Sequence, residues 1–480
     1  MKKILLAVCI SITSIMFAQT TYPSVNINLL SHIHPETIDV VGSTDGRKYS
    51  GCWGWHQASK NKEYAIVGTS TKTYFIDISN PYNPQIRDSV MGKSPACTWR
   101  ELKTYQNYCY VASDVCTPNS FQIIDMQYLP DSVHVVYDDT TYFERAHTLW
   151  IDGNKLYAGG FSPKGSGAIN MRVYSLATPS VPTLIRTLRD DYPSITYVHD
   201  MYVRNDTVYA SAGLQGLYVF KLTASNTFTL LGSLTGYADA GYNHSSFLTD
   251  NGQTLVFCDE SPGKTIKIAD VSNLSNITLS AMTKPNSNPE FVGHNPYVKG
   301  NQWAFVSSYQ EGLLLYDISI PTNPILKGFF DSFPAGGANA SNNYGGSSYK
   351  GNWGAYPYFP SGVILVCDMQ NGVFLLEADA LLGTNVGIKE ENINLLSGNI
   401  YPNPANEKLR VTFIHNSAKF YTIEISNILG QVIFSESNLN DCQLPITNKT
   451  IDVSGFESGS YIVTIKADNK QLQKKIIIAK

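Results

Sequence analysis

The feature that most constrains this chain is a recurring segment: an apolar, β-branched run, a carboxylate, and a turn closed by prolines. Gly312 to Pro324 reads GLLLYDISIPTNP, and Tyr74 to Pro84 reads YFIDISNPYNP. Phe121 to Asp131 and Ile266 to Asn276 echo it, and Met171 to Pro182, Leu217 to Thr227 and Val373 to Leu381 are weaker copies. The aligned positions Asp77, Asp125, Ser175, Lys221, Asp270, Asp317 and Glu377 follow one another at intervals of 46 to 60 residues. A period of about 40–50 residues is the spacing of propeller blades.

Each copy expands into the same parts. In the sixth, His294 to Asn301, Gln302 to Tyr309, Leu313 to Ile318 and Pro324 to Phe330 are short strand-forming runs separated by Gly, Asn, Pro and Ser. That order is a four-stranded meander. One such sheet cannot bury both faces; seven set radially bury one another and leave only short edges. The last copy runs out at Leu382 and Gly383 before a fourth strand, but Val25 to Ile33 (VNINLLSHI) resembles the fourth strands Thr183 to Leu188 and Thr229 to Leu234. The expected fold is all-β: a seven-bladed β-propeller closed by an N-terminal strand, followed by a small C-terminal β-sandwich.

Lys2 and Lys3 precede a short apolar run, and Ala18-Gln19 offers a small-residue cleavage point, so residues 1–18 read as a secretory signal peptide. No later run reaches about 18 apolar residues, so no transmembrane segment is expected in the mature chain. A net charge of −4 with 15% charged residues gives no footprint for nucleic acid or an anionic membrane. Export permits disulfides. Cys109 with Cys116 is the first candidate pair and Cys52 with Cys97 the second, while Cys258 and Cys367, in matching strand positions, read as buried thiols. The domain plan is 1–18 signal, 19–382 propeller, 383–398 linker and 399–480 sandwich. The stretch from Asp331 to Trp353 is the one irregular connection, and its Tyr344, Tyr349 and Trp353 suggest a loop that faces a ligand.

The C-terminal module resembles the type A sorting domain of the Bacteroidetes type IX secretion system through Ile400 to Val411, Ile425 to Phe434, Gly459 to Ile465 and the KKIII tail. The resemblance implies the type IX secretion machinery as a partner and a secreted or outer-cell-surface location. The repeats are similar to LVIVD-repeat propellers, in particular the secreted "choice-of-anchor B" family. The residues carrying this are the IDIS-x-P-x-x-P units, Thr98 to Tyr105, Ala146 to Asn154, Val198 to Asp206, Phe257 to Glu260 and Gly293 to Asn301. That likeness implies fold and location and no activity.

Aligned at their heads, the repeats place His56, Arg100, His147, His199, His244, His294 and Tyr356 in one slot, so five of the nine histidines share a repeat position. In propellers the first strand of each blade lines the central channel, so these residues are expected to ring one mouth. Glu101, Asp200, Ser245 and Asn295 follow immediately and could act as acceptors behind the imidazoles. His147, His199, His244 and His294 come from consecutive blades and could hold a divalent metal. A histidine inherited through repeat duplication could equally serve only to hold blades together. The recurring Asp77, Asp125, Asp270 and Asp317 read instead as turn formers. Asp259-Glu260 could face the channel beside the histidines.

Three functions follow. The first is capture of an unknown extracellular ligand (glycan, peptide or surface protein) at the histidine-lined mouth. The second is a metal-assisted hydrolase or lyase in which Glu101, Asp200 or Glu260 moves protons. The third is a purely structural surface protein. No nucleophile elbow, P-loop, HExxH or EF-hand loop stands in its required context.

Overall fold

Alternating apolar runs pair with their sequence neighbours throughout the computed structural model. It describes residues 22–34, 46–94, 96–97, 99–163, 169–286, 288–334, 349–378, 396–415, 420–438, 446–468 and 470–480. The expected signal peptide with its Ala18–Gln19 junction, most of the Asp331 to Trp353 connection and most of the expected 383–398 linker lie outside these residues.

The first blade is the meander Tyr49–Gln57, Lys62–Thr69, Lys72–Asp77 and Gln85–Met91, hydrogen-bonded in that order. Five more sheets of the same order begin at Trp99–Tyr105, Thr148–Asp152, Asp200–Arg204, Asn243–Leu248 and Asn295–Lys299, and a seventh begins at Asn352–Tyr356. Each of these first strands packs against the next, and the seventh packs against the first, so the inner strands form a closed ring. Aromatic side chains tie neighbouring blades. The Trp55 indole donates to the Gln106 carbonyl at 2.8 Å and the Trp150 indole to the Val203 carbonyl at 2.8 Å.

The repeated carboxylates end the third strands as turn formers. Asp77, Asp125, Asp270 and Asp317 each accept the backbone N–H two residues on, from Ser79, Gln127, Ser272 and Ser319, at 2.9 to 3.1 Å. This bond is what an Asx turn requires, and the second oxygen of Asp77 is taken up by Lys62 and Arg87 at 2.8 and 3.1 Å.

The seventh blade takes its outer strand from the other end of the chain. Ile27–Ile33 pairs antiparallel with Gly372–Ala378, from Ile27 opposite Ala378 to Ile33 opposite Val373. The segment does more than the sequence suggests. Asn26 adopts a left-handed conformation (φ 55°) and breaks the run, and Ser24–Val25 adds to the sixth blade beside Phe329 and Phe330. One segment therefore clasps two blades.

The disulfide differs from expectation. Cys97 bonds Cys116, tying the entrance of the second blade to the loop after its second strand, whereas Cys109 and Cys52 are free buried thiols. Strand alternation explains this: Cys109 lies inside Tyr108–Asp114 and points into the core between the first two blades, out of reach of the loop. Cys52 packs in the core that also holds Cys367. Cys258 and Cys367 are buried thiols, as their strand positions suggest.

Beyond the propeller, Ser397–Tyr401, Lys408–Ile414 and Ile446–Asp452 form one sheet; Val432–Asn438, Tyr421–Asn427, Gly459–Ala467 and Lys470–Ile478 form another. Both contribute to one core, through Leu409, Val411 and Phe413 from the first and Ile423, Val463 and Ile465 from the second. Among the described residues no helix is long and apolar enough to cross a membrane.

Deleting residues 22–33 should remove the closing ladder and bare the edge of Gly372–Ala378. A loss of several kcal/mol is expected, a large share of the roughly 5–15 kcal/mol of a typical domain, together with aggregation through the open edge. Thermal melting with light scattering reads both, and an unchanged melt would refute the closure. Cys97→Ser should cost about 3 kcal/mol, the usual value for a loop of this size, in denaturant titration under non-reducing conditions. The same titration of Cys109→Ser should not change its response to reductant.

Candidate functional site

Four of the seven heads converge at one mouth of the ring. His147, His199, His244 and His294 stand on consecutive blades with neighbouring ring centroids 4.1, 4.5 and 4.3 Å apart. Each sits at or just before its inner strand. The N–H groups of His147, His199 and His294 donate to the second strands at Gly159, Ser211 and Ser307, which holds the backbone beneath each ring.

The outward sides of three rings are engaged. His147 Nδ1 lies 3.1 Å from Asp114 Oδ2, His199 Nδ1 is 3.0 Å from the Tyr242 hydroxyl, and His294 Nδ1 is 2.6 Å from the Trp353 carbonyl. The inward sides are not. His199 Nε2, His294 Nε2 and both nitrogens of His244 are buried without a hydrogen-bond partner. Such orphaned polar atoms cost about 1–3 kcal/mol each. Glu260 enters the same space: its Oε2 is 3.6 Å from His244 Nε2 and its Oε1 is 3.9 Å from His294 Nε2, while the Tyr309 hydroxyl donates to Oε1.

Electrostatics sort these groups. Burial, reinforced by the neighbouring imidazoles, holds His199 and His244 well below the usual histidine pKa. Burial brings His294 to about 3 even though the Trp353 carbonyl opposes the shift. These three rings are neutral at pH 7. Burial also disfavours charge on His147, but the Asp114 carboxylate outweighs it and raises its pKa. Burial raises the Glu260 pKa against the pull of the Tyr309 hydroxyl.

His147, His199, His244, Glu260 and Tyr309 bound a cavity of about 370 Å³ whose other walls are Arg47, Trp99, Tyr349 and Trp353, with His294 buried behind them. Trp99 and Trp353 stack with centroids 4.3 Å apart at 11°, and the Arg47 guanidinium lies 5.0 Å over the Trp99 ring.

The remaining predicted site residues lie elsewhere. His56 is exposed near the far end of Tyr49–Gln57, because that strand is nine residues long and begins earlier than the WH pair suggests. Ser50 takes the head position there, and its hydroxyl accepts the Arg100 N–H at 2.9 Å. Arg100 is buried between the first two blades, donating to the Thr69 carbonyl at 2.7 Å and the Ser113 hydroxyl at 3.1 Å. Its neighbour Trp99 reaches the cavity instead. Tyr356 lies three residues too far along and packs on Trp53 and Phe359. The head of the seventh blade is Trp353: it falls in the register irregularity between Asn352 and Gly354, just as His244 falls between Asn243 and Ser245. The shared Asn before each head was the signal that could have found it.

Glu101 and Asp200 do not stand behind the imidazoles. Strand alternation turns them into the channel below, where with Lys103, Ser245 and Asn295 they line a smaller space of about 50 Å³. Glu101 pairs with Lys103, and Asp200 accepts the Thr148 hydroxyl at 2.6 Å. The partners found behind the imidazoles are Asp114, at the repeat position that Glu260 and Tyr309 hold in their blades, and Tyr242, two residues before its head as Tyr197 is before His199.

Residues 399–479 match the family model of the secretion system C-terminal sorting domain, and residues 297–332 match that of the LVIVD repeat. No curated relative matches the chain. Among solved structures, the WD40 β-propeller domain of Doa1 aligns at 9% identity with a TM-score of 0.49, covering 75% of this chain and 97% of that chain. A likeness of that size carries no argument, and the strand order described above establishes the fold by itself. The chain is a β-propeller that carries an LVIVD repeat and ends in a type IX secretion sorting domain, which makes it a secreted or cell-surface protein.

Proposed function

We propose that the protein captures the end of an extracellular glycan at the histidine-lined mouth of its propeller. One observation carries this reading: a single cavity combines stacked indole walls with a floor of buried imidazole nitrogens that have no partner within the chain. Its volume of about 370 Å³ falls at the small end of ligand pockets. Aromatic walls suit the apolar face of a sugar ring and the polar floor suits its hydroxyls. We assign residues 19–382 to this binding unit, 383–398 to a linker, and 399–480 to recognition by the type IX secretion machinery.

A metal-assisted hydrolase or lyase is the second reading, favoured by one observation. The Glu260 carboxyl is partly buried against His244 and His294 with a raised pKa, the condition for holding a proton that catalysis would transfer. Release of shortened products from a bound oligosaccharide, lost in Glu260→Gln, would establish it.

Binding of the purified chain to an immobilised panel of oligosaccharides and peptides tests the capture reading. Saccharide binding is expected, weakened about 10- to 30-fold in Trp99→Ala, as for an aromatic anchor worth about 2 kcal/mol, with the melting temperature kept. Binding to peptides alone would replace the glycan with a protein partner, and equal binding by wild type and Trp99→Ala would remove the mouth from consideration. For the export assignment, a chain ending at residue 398 should accumulate inside the outer membrane of a type IX-competent cell, read by fractionation and immunoblot. Its appearance at the surface would refute the assignment.

A further inference from the structure

We propose that His147, His199, His244, His294 and Glu260 form a site for one divalent first-row transition metal ion, with His244 as the ligand common to every arrangement. The proposal deepens the capture reading, since it places the ion on the floor of the same cavity.

Two overlapping donor sets are built. His147, His199 and His244 offer ligand atoms within 4.8 Å of one another, and so do His244, Glu260 and His294. Donors around a tetrahedral zinc, with bonds of about 2.0–2.1 Å, stand roughly 3.3 Å apart, so small rotations of the rings close either set on an ion. The outer shell is already in place. Asp114, the Tyr242 hydroxyl and the Trp353 carbonyl each hold an Nδ1 and leave the Nε2 of the same ring directed inward. That division of the two nitrogens is how protein metal centres orient their histidines.

The independent observation is the set of orphaned nitrogens. His199, His244 and His294 are at least nine-tenths buried and each carries an unpartnered nitrogen; His199 and His244 line the cavity, and His294 Nε2 stands 3.9 Å from the Glu260 carboxylate that does. Most buried polar side chains find at least one partner within the fold, and neither nitrogen of His244 has one in hydrogen-bonding geometry. One ion takes one nitrogen from each ring, and His199 Nε2, His294 Nε2 and a nitrogen of His244 can supply one each. Imidazole donors with one carboxylate suit zinc, nickel, copper or iron and disfavour calcium and magnesium, which take oxygen ligands. The cavity above leaves an open coordination position, through which the ion would meet a ligand's oxygen atoms.

The test uses the untagged full chain, stripped with chelator and titrated with Zn²⁺ by calorimetry. One equivalent per chain is expected. His199→Ala/His294→Ala removes one ligand from each set and should weaken binding by more than the 10- to 100-fold of an outer-shell change. His56→Ala/His134→Ala, which alters exposed histidines, should bind as wild type. Should the first variant fail to fold, the wild-type chain decides alone. Co²⁺ should give visible d–d bands, and crystals of the zinc-loaded protein an anomalous peak among the four imidazoles. No binding by wild type, undiminished binding by a folded His199→Ala/His294→Ala, or a peak elsewhere overturns the proposal. Running the oligosaccharide panel on stripped and reloaded protein separates the two readings. Saccharide binding with no zinc site refutes the metal alone, and a zinc site without saccharide binding refutes capture alone.

Discussion

Everything in the propeller depends on one antiparallel ladder, Ile27–Ile33 against Gly372–Ala378. Without it the seventh blade ends in an open edge, and a ring of sheets becomes an arc whose terminal faces meet water. Radial folds gain stability only when the last neighbour exists, because each blade buries its faces against two others. Here the two ends of the propeller segment share a sheet, so the ring closes by hydrogen bonds as well as by packing. The kink at Asn26, which sends Ser24–Val25 on to the sixth blade, extends the closure across a second seam.

The candidate site inherits its geometry from that closure. Residues about fifty positions apart in sequence arrive about 4 Å apart because each occupies the same point of a blade and the blades cannot slide past one another. No loop has to be ordered to make the constellation. Its preorganisation is that of the inner strands, the form in which fixed polar groups act most strongly on a ligand.

The architecture was legible because it is written in period. Apolar runs, Asx turns and the displaced fourth strand each recur, and recurrence fixes the meander, the closure and the roles of Asp77, Asp125, Asp270 and Asp317. The four consecutive histidines were legible for the same reason. What failed was the register at the seam: His56 and Tyr356 resemble heads in their dipeptides, but strand length and a bulge, neither visible in composition, put Ser50 and Trp353 there instead. The cysteine pairing failed similarly, since hairpin proximity says nothing about which face Cys109 points to. Asp114, Glu260 and Tyr309 share one repeat position, two residues past the cross-strand partner of the residue after the head, and Tyr242 shares another with Tyr197; the residue type changes from blade to blade, so neither position stood out in the sequence.

The choice between scaffold and site turns on what the blades do elsewhere. Buried polar atoms without a partner occur elsewhere in the blades too, Arg100 Nη2, Ser211 Oγ and Asn243 Oδ1 among them, so an unmet atom is not by itself a site. The histidines differ in that their unmet atoms lie together. Nδ1 of His147, His199 and His294 is met by Asp114, Tyr242 and the Trp353 carbonyl, while Nε2 of His199 and His294 and both nitrogens of His244 are buried without a partner. Unmet groups scattered singly through a core say nothing about a ligand; donors that converge do. The imidazole nitrogens of adjacent blades and the Glu260 carboxylate lie within 4.8 Å of one another in two overlapping sets beside one cavity, and that convergence, with a partner already on the other nitrogen of three of the rings, suits completion from outside the chain.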